Sequence, residues 1–220
     1  MTTKNIRIVL CDDHQIIRQG LRSLLEREQD MTVLGEGATG MDALRLAAHH
    51  APDVIVLDVA MPDMNGITAA RRLRDQKSNL KILALSMHSD MRFVTGMMEA
   101  GAAGYLLKDC AFTELADAIR TVSSGGLYIS PRIAGRVLQE MTCQRTKGGK
   151  QVKVRLSDRE QEILQLIAEG RSTKEIASLL HVSIKTVETH RQHVMQKVGV
   201  HNVAALTKFA IREGLTTVEG

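Results

Sequence analysis

The strongest constraint on this chain is a rhythm in its first 122 residues. Short apolar runs of strand length recur at Ile6-Arg-Ile-Val-Leu10, Thr32-Val-Leu34, Val54-Ile-Val-Leu57, Ile82-Leu-Ala-Leu85 and Gly104-Tyr-Leu-Leu107. Between them the apolar spacing turns helical, as at Ile16, Ile17, Leu21, Leu24 and Leu25, and again at Leu115, Ala118, Ile119 and Val122. Thr39, with Asp42 three residues on, resembles a capping box ahead of Ala43 and Leu44. Strands separated by whole helices pair in parallel, and parallel sheets are covered on both faces. The pattern therefore predicts an α/β doubly wound five-stranded parallel sheet. The unbroken apolar runs at 54–57 and 82–85 are those of central, fully buried strands.

In open parallel sheets, functional side chains stand beyond the carboxyl ends of the strands. The first strand runs into Asp12-Asp13-His14, the third into Asp58 and then Val59–Gly66, the fourth into Ser86, and the fifth into Lys108. Taken singly, each is ordinary: an Asp after a strand is commonly a turn former or helix cap. Together they gather three carboxylates on one rim, where the charges repel and their pKa values rise unless a cation intervenes. All three offer oxygen ligands, which suits Mg²⁺. A lysine and a hydroxyl on the same rim supply a point charge and a hydrogen bond for an incoming anion. The set suits phosphoryl transfer onto a carboxylate nucleophile. His14 and His88 lie near the rim but read as loop or helix-cap residues, not as ligands or bases.

Charge divides the chain. Residues 1–130 carry a net −2, residues 131–150 a net +4 and residues 151–220 a net +2. A basic C-terminal part makes a polyanion a candidate partner. Aromatics are 2% with no Trp, which argues against binding single-stranded nucleic acid by base stacking and leaves double-stranded DNA open. Cys11, Cys110 and Cys143 have no metal-ligand spacing and are odd in number, so they read as small hydrophobes and not as disulfide or zinc partners. No apolar run approaches the roughly 18 residues of a membrane helix, and the N-terminus lacks an apolar leader core. The expectation is a cytoplasmic protein without membrane contact.

Residues 123–152 read as a linker. Ser130-Pro131 looks like an N-cap followed by an N1 proline, with Ile133, Val137, Leu138 and Met141 as the stripe of a short helix. The stretch from Thr142 to Val152 has the composition of a flexible basic tether. Residues 155–214 then read as four short helices. Ser157-Asp-Arg-Glu160 and Ser172-Thr-Lys-Glu175 have capping-box form, and Ser183 and Asn202 are further N-caps. Ile163, Leu164 and Ile167 form one apolar stripe; Ile176, Leu179 and Leu180 form the next. Only His181-Val182-Ser183 separate the second and third helices, the short connection of a helix-turn-helix. On the third helix, Ile184, Val187, Val194 and Val198 share one face, and Lys185, Glu188, Thr189, Gln192 and Gln196 share the other. An exposed polar face is ordinary on an amphipathic helix, but after a tight turn it also carries the donors and acceptors that read base edges. Lys174, Arg191 and Lys197 flank it as candidate phosphate contacts.

Two family resemblances fit these motifs. Residues 5–122 resemble the receiver domain of bacterial two-component response regulators, through Asp12-Asp13, Asp58 with Met61-Pro62 and Gly66, Ser86, and Tyr105-Leu-Leu-Lys108. The resemblance implies that Asp58 accepts a phosphoryl group from a sensor histidine kinase. It implies Mg²⁺ held by Asp13, Asp58 and the backbone carbonyl of Ala60, with Asp12 assisting. Lys108 would contact the phosphoryl oxygens, and Ser86 and Tyr105 would be a switch pair. Residues 153–217 resemble the LuxR-type helix-turn-helix, through Leu156-Ser-Asp-Arg-Glu160, Ala168-Glu-Gly170, Lys174-Glu-Ile-Ala177 and Thr186-Val-Glu-Thr-His-Arg191. This resemblance makes residues 184–198 the recognition helix. It gives the last helix, around Ala204, Leu206, Phe209 and Ile211, a role in pairing two DNA-bound copies. Receiver followed by LuxR-type domain is the order of the NarL/FixJ response regulators. It implies a homodimer when phosphorylated or DNA-bound, RNA polymerase as a further contact, and no enzyme activity beyond phosphorylation of Asp58 and its hydrolysis.

Other readings fit less well. A haloacid-dehalogenase-like phosphatase wants Asp-x-Asp after its first core strand, whereas Asp12 and Asp13 are adjacent and Asp58 has no Asp two positions on. A small-molecule-sensing LuxR regulator relies on an aromatic pocket, which a chain without Trp does not favour. The complete set Asp12, Asp13, Asp58, Ser86 and Lys108 disfavours a receiver that has lost phosphorylation.

Overall fold

The computed structural model describes residues 5–76, 79–146 and 156–216, with the side chains of 140–146 left aside. The chain divides into two compact units, Met1–Gly148 and Gly149–Gly220.

In the first unit the strands are β1 (Ile6–Cys11), β2 (Met31–Gly37), β3 (Val54–Asp58), β4 (Lys81–Ser86), β5 (Gly104–Leu107) and β6 (Tyr128–Ile129). They form one parallel sheet in the order β2-β1-β3-β4-β5-β6. The helices are α1 (Gln15–Leu25), α2 (Gly40–His50), α3 (Gly66–Gln76), α4 (Met91–Glu99), α5 (Ala111–Ser123) and α6 (Pro131–Thr146). Side chains alternate across the sheet, so each apolar run feeds two cores at once. Val9, Ile55, Leu57, Ile82, Ala84 and Tyr105 face α2, α3 and α4. Ile8, Leu10, Val54, Val56, Leu83, Leu85 and Leu106 face α1 and α5. That double burial is why the central strands are apolar without interruption.

Among the described residues the sheet has six strands, not the five expected. The sixth spans two residues after Gly125-Gly126 and pairs with β5, too short to leave a periodicity. From sequence the first domain ends at residue 122. In the structure β6 extends its sheet, and Ile133 of α6 is buried in its core with Val137 packed beside it. Pro131 opens the helix as expected, with Ser130 before it: the Ser130 carbonyl accepts from Ala134 N–H, while its Oγ donates to Glu114. Leu138, placed on the expected stripe, is 65% exposed. Met141 and Cys143 lie outside the described side chains. The helix runs on to Thr146, so the first part of the expected tether is helical; residues 147–155 lie outside the described residues.

The second unit holds α7 (Asp158–Ala168), α8 (Thr173–Leu179), α9 (Ile184–Val198) and α10 (Val203–Arg212). Its core is built from Ile163, Leu164, Leu166, Ile176, Val187, Val194, Leu206 and Phe209. Both capping boxes form, at Ser157/Glu160 and Ser172/Glu175, and Ser183 and Asn202 cap α9 and α10. Gly199, with φ +72°, ends α9 in the left-handed conformation. Leu179 and Ile184, expected on packed faces, are 46% and 49% exposed. Leu206 and Phe209, expected at a dimer contact, are buried in the monomer core.

Candidate functional site

The parallel sheet brings the carboxyl ends of β1, β3, β4 and β5 to one rim. Asp58 and Asp12 are both buried there, and Lys108 reaches between them. Its Nζ lies 2.7 Å from Asp58 Oδ2 and 2.8 Å from Asp12 Oδ2. The Asp12 contact is an ion pair without an aligned hydrogen bond, leaving that buried oxygen open to a further partner. Asp58 Oδ1 accepts from the Ala60 backbone N–H at 3.2 Å. The chain then folds back: Gly66 N–H donates to the Val59 carbonyl, and a Cβ at residue 66 would lie 2.1 Å from the Asp58 carbonyl oxygen. Glycine is required there by close approach.

Burial pushes the Asp58 carboxyl up to about 7; the Asp12 charge adds to this and Lys108 opposes it. Burial works against the Lys108 ammonium, but the two carboxylates outweigh it and hold the group above its ordinary value. Asp13 is exposed at the mouth. Ligand atoms of Asp12, Asp13, His14 and Asp58 lie within 4.8 Å of one another. Three carboxylates and an open buried lone pair fit a hard divalent cation. His14, discounted from sequence, turns its Nδ1 into this cluster, 2.8 Å from Asp13 Oδ1, 3.2 Å from Asp12 Oδ1 and 3.4 Å from Lys108 Nζ. Ring orientation leaves no mark in sequence, so spacing could not separate His14 from an ordinary cap.

Ser86 and Tyr105 meet through the backbone of His88. Ser86 Oγ accepts from His88 N–H at 3.0 Å, and the Tyr105 hydroxyl donates to the His88 carbonyl at 2.8 Å. Tyr105 is fully buried, and burial raises its phenol pKa. The His88 ring stacks on Phe93 of α4, with centroids 4.7 Å apart. The carbonyl of the same Tyr105 accepts from Ser130 N–H, the residue before α6. Arg136 of α6 donates to the Ser89 carbonyl. Backbone bridges of this kind have no residue signature.

On the second unit Lys185, Glu188, Thr189 and Gln192 of α9 are exposed together, as is Lys174 of α8. Thr189 Oγ1 donates to the Lys185 carbonyl, so its hydroxyl hydrogen is engaged within the helix. Arg191 is half-buried, with its Nε shielded and without a hydrogen-bond partner. Lys197 does not stand free: its Nζ is 2.7 Å from Glu160 Oε2.

A doubly wound sheet with an acidic rim and a buried lysine, joined to a helix-turn-helix unit, defines a regulator with one signal-receiving and one DNA-binding part. Residues 8–120 match the family described as "Response regulator receiver domain" and residues 154–210 match "Bacterial regulatory proteins, luxR family". Transcriptional regulatory protein LiaR of Bacillus subtilis (strain 168) is 39% identical over 211 residues, 96% of this chain and 99% of LiaR. A structure of RcsB from Salmonella enterica serovar Typhimurium, bound to promoter P1flhDC in the presence of phosphomimetic BeF3-, is 28% identical. It covers 97% of this chain and 100% of that one, with a TM-score of 0.60. A structure of two RcsB dimers on two parallel DNAs is also 28% identical, covers 94% and 98%, and has a TM-score of 0.58. The chain belongs to the NarL/FixJ family of DNA-binding response regulators, which control transcription. Among the described residues no helix is long and apolar enough to cross a membrane.

Proposed function

We propose that this regulator is switched by phosphorylation of Asp58. The observation that carries the reading is the buried Lys108 ammonium held between Asp58 and Asp12. Asp58 forms an O–P bond as the P–N bond of a kinase phosphohistidine breaks; the electron pair returns to the imidazole, which takes up a proton. Lys108 stabilises charge on the phosphoryl oxygens. Asp12, Asp13, Asp58 and the carbonyl of Ala60 would hold Mg²⁺, which when bound would offset negative charge on the phosphoryl oxygens. Ser86, whose Oγ accepts from His88 N–H, donates its hydroxyl hydrogen to the new phosphoryl group, and Tyr105 is bound to the same His88 backbone, so a shift of Ser86 toward the phosphoryl group is felt by the loop 86–90. Lys185, Glu188 and Gln192 read base edges, with Thr189 beside them, while Arg191 and Lys174 meet phosphates. RcsB supports this, being bound to promoter DNA in one structure and present as dimers on DNA in another. Action on DNA with a kinase partner fits a cytoplasmic protein that dimerises when phosphorylated or DNA-bound.

Incubation with a small phosphodonor and Mg²⁺, followed by mapping of the acyl phosphate, tests the chemistry. Label at Asp58 that vanishes in Asp58→Asn is expected. Persistent label on another carboxylate in that variant contradicts it.

A further inference from the structure

We propose that Lys197 is a positioning residue that sets the angle of α9, and is not a DNA phosphate contact. This rests on the reading of α9 as the helix that reads bases. Lys197 lies in the last turn of α9, and its ammonium meets Glu160 Oε2 at 2.7 Å. That same oxygen accepts from Ser157 N–H at 2.8 Å and from Ser157 Oγ at 3.1 Å, closing the capping box of α7. The Glu160 side chain is only 5% exposed. Its neighbour Arg159 donates to the Leu180 carbonyl, the C-cap of α8, at 2.8 Å, and to the buried Glu162 at 3.1 Å. The first turn of α7 therefore grips both helices of the helix-turn-helix, each near its C-terminal end.

The consequence is leverage. Lys185 and Lys197 stand about 18 Å apart along the helix axis, so a tilt of about 5° at the clamp moves the base-reading end by about 1.5 Å. Val187 and Val194 pack one face of α9 into the core, and the ion pair, half-exposed at Lys197 and buried at Glu160, ties the C-terminal end of the helix to a capped carboxylate. Donating Lys197 to DNA would strand a buried carboxylate without its cation, which is costly. A lysine serving phosphate has no need of such a partner.

The two roles predict different binding data for the full chain. The probes are a duplex selected from a random pool by the unmodified protein and a scrambled duplex of equal length, each titrated with salt. Under the clamp, Lys197→Met and Glu160→Gln each lower the selected-to-scrambled affinity ratio about tenfold, the scale of a lost base contact. Scrambled binding and its salt slope stay unchanged, the double variant is no worse than either single one, and Lys197→Arg keeps the ratio. If Lys197 binds phosphate, Lys197→Met weakens both duplexes equally and cuts the salt slope by about 0.9. Glu160→Gln then leaves binding unchanged or strengthens it, and that result overturns the proposal. So does an unchanged ratio in both variants. Should Glu160→Gln lose its helical circular dichroism, the comparison of Lys197→Met with Lys197→Arg still decides. If the unmodified chain selects no sequence, the DNA reading itself fails and the clamp with it; if it selects one and the variants keep the ratio, only the clamp fails.

Discussion

Asp58 shares Lys108 with Asp12 inside a buried rim, and burial of its carboxyl, with the Asp12 charge adding to it, pushes the pKa up to about 7. The raised value stabilises the fold when Asp58 is protonated. That contribution is complete below the ordinary value of 3.8 and is lost as pH rises through about 7. In chelator, Asp58→Asn is therefore expected to melt higher than the natural protein at pH 8, with the advantage shrinking toward pH 4. Thermal unfolding across that range checks it, and a constant difference contradicts it. Added Mg²⁺ should raise the Tm of the natural protein by mass action, and Asp13→Asn should need more Mg²⁺ for the same gain. Asp12, Asp13, Asp58, Ser86 and Lys108 were legible in the sequence because parallel topology sends strand ends to one rim, so residue type and position suffice. The His88 bridge was not, because it uses backbone groups that every residue has. The contact of Lys197 was hidden for a related reason: its buried partner Glu160 lies 37 residues earlier, a pairing that residue type and spacing do not reveal.

At the scale of elements, the alternation of strand and helix was read correctly because two cores demand apolar residues on both faces of β3 and β4. The two-residue β6 has no period to detect. The exposed Leu179 and Ile184 show the converse limit: helical spacing identifies a face, but a four-helix unit has too little core to bury every apolar residue on it. The assignment of α6 to the first unit has a measurable consequence. Ile133 is 1% exposed in that core, so Ile133→Ala should cost about 2–4 kcal/mol in denaturant unfolding, although it lies beyond the matched receiver span. Leu138→Ala on the same helix, being mostly exposed, should cost little. In the rim loop, Gly66→Ala places a Cβ against the Asp58 carbonyl and should destabilise the unit by about 1–3 kcal/mol. It should also slow labelling of Asp58, since the loop carrying Ala60 must shift.

At the scale of the whole molecule, phosphoryl chemistry at Asp58 is proposed to govern DNA binding by a separate unit. Such control is a shift between states, limited by how much better the phosphoryl group fits one than the other. Ser86 and Tyr105 are both bonded to the His88 backbone at the rim, so a phosphoryl group that engages Ser86 acts on that loop, and pairing of two chains would raise the effective concentration of the second recognition helix. The most direct measurement is the affinity of the full chain for its selected duplex, with the mass of the complex read in the same sample, before and after phosphorylation. Phosphorylation should tighten binding and increase the share of dimer, and Asp58→Asn should respond to neither phosphodonor nor Mg²⁺. Unchanged affinity and unchanged mass in a sample with fully labelled Asp58 would contradict the account.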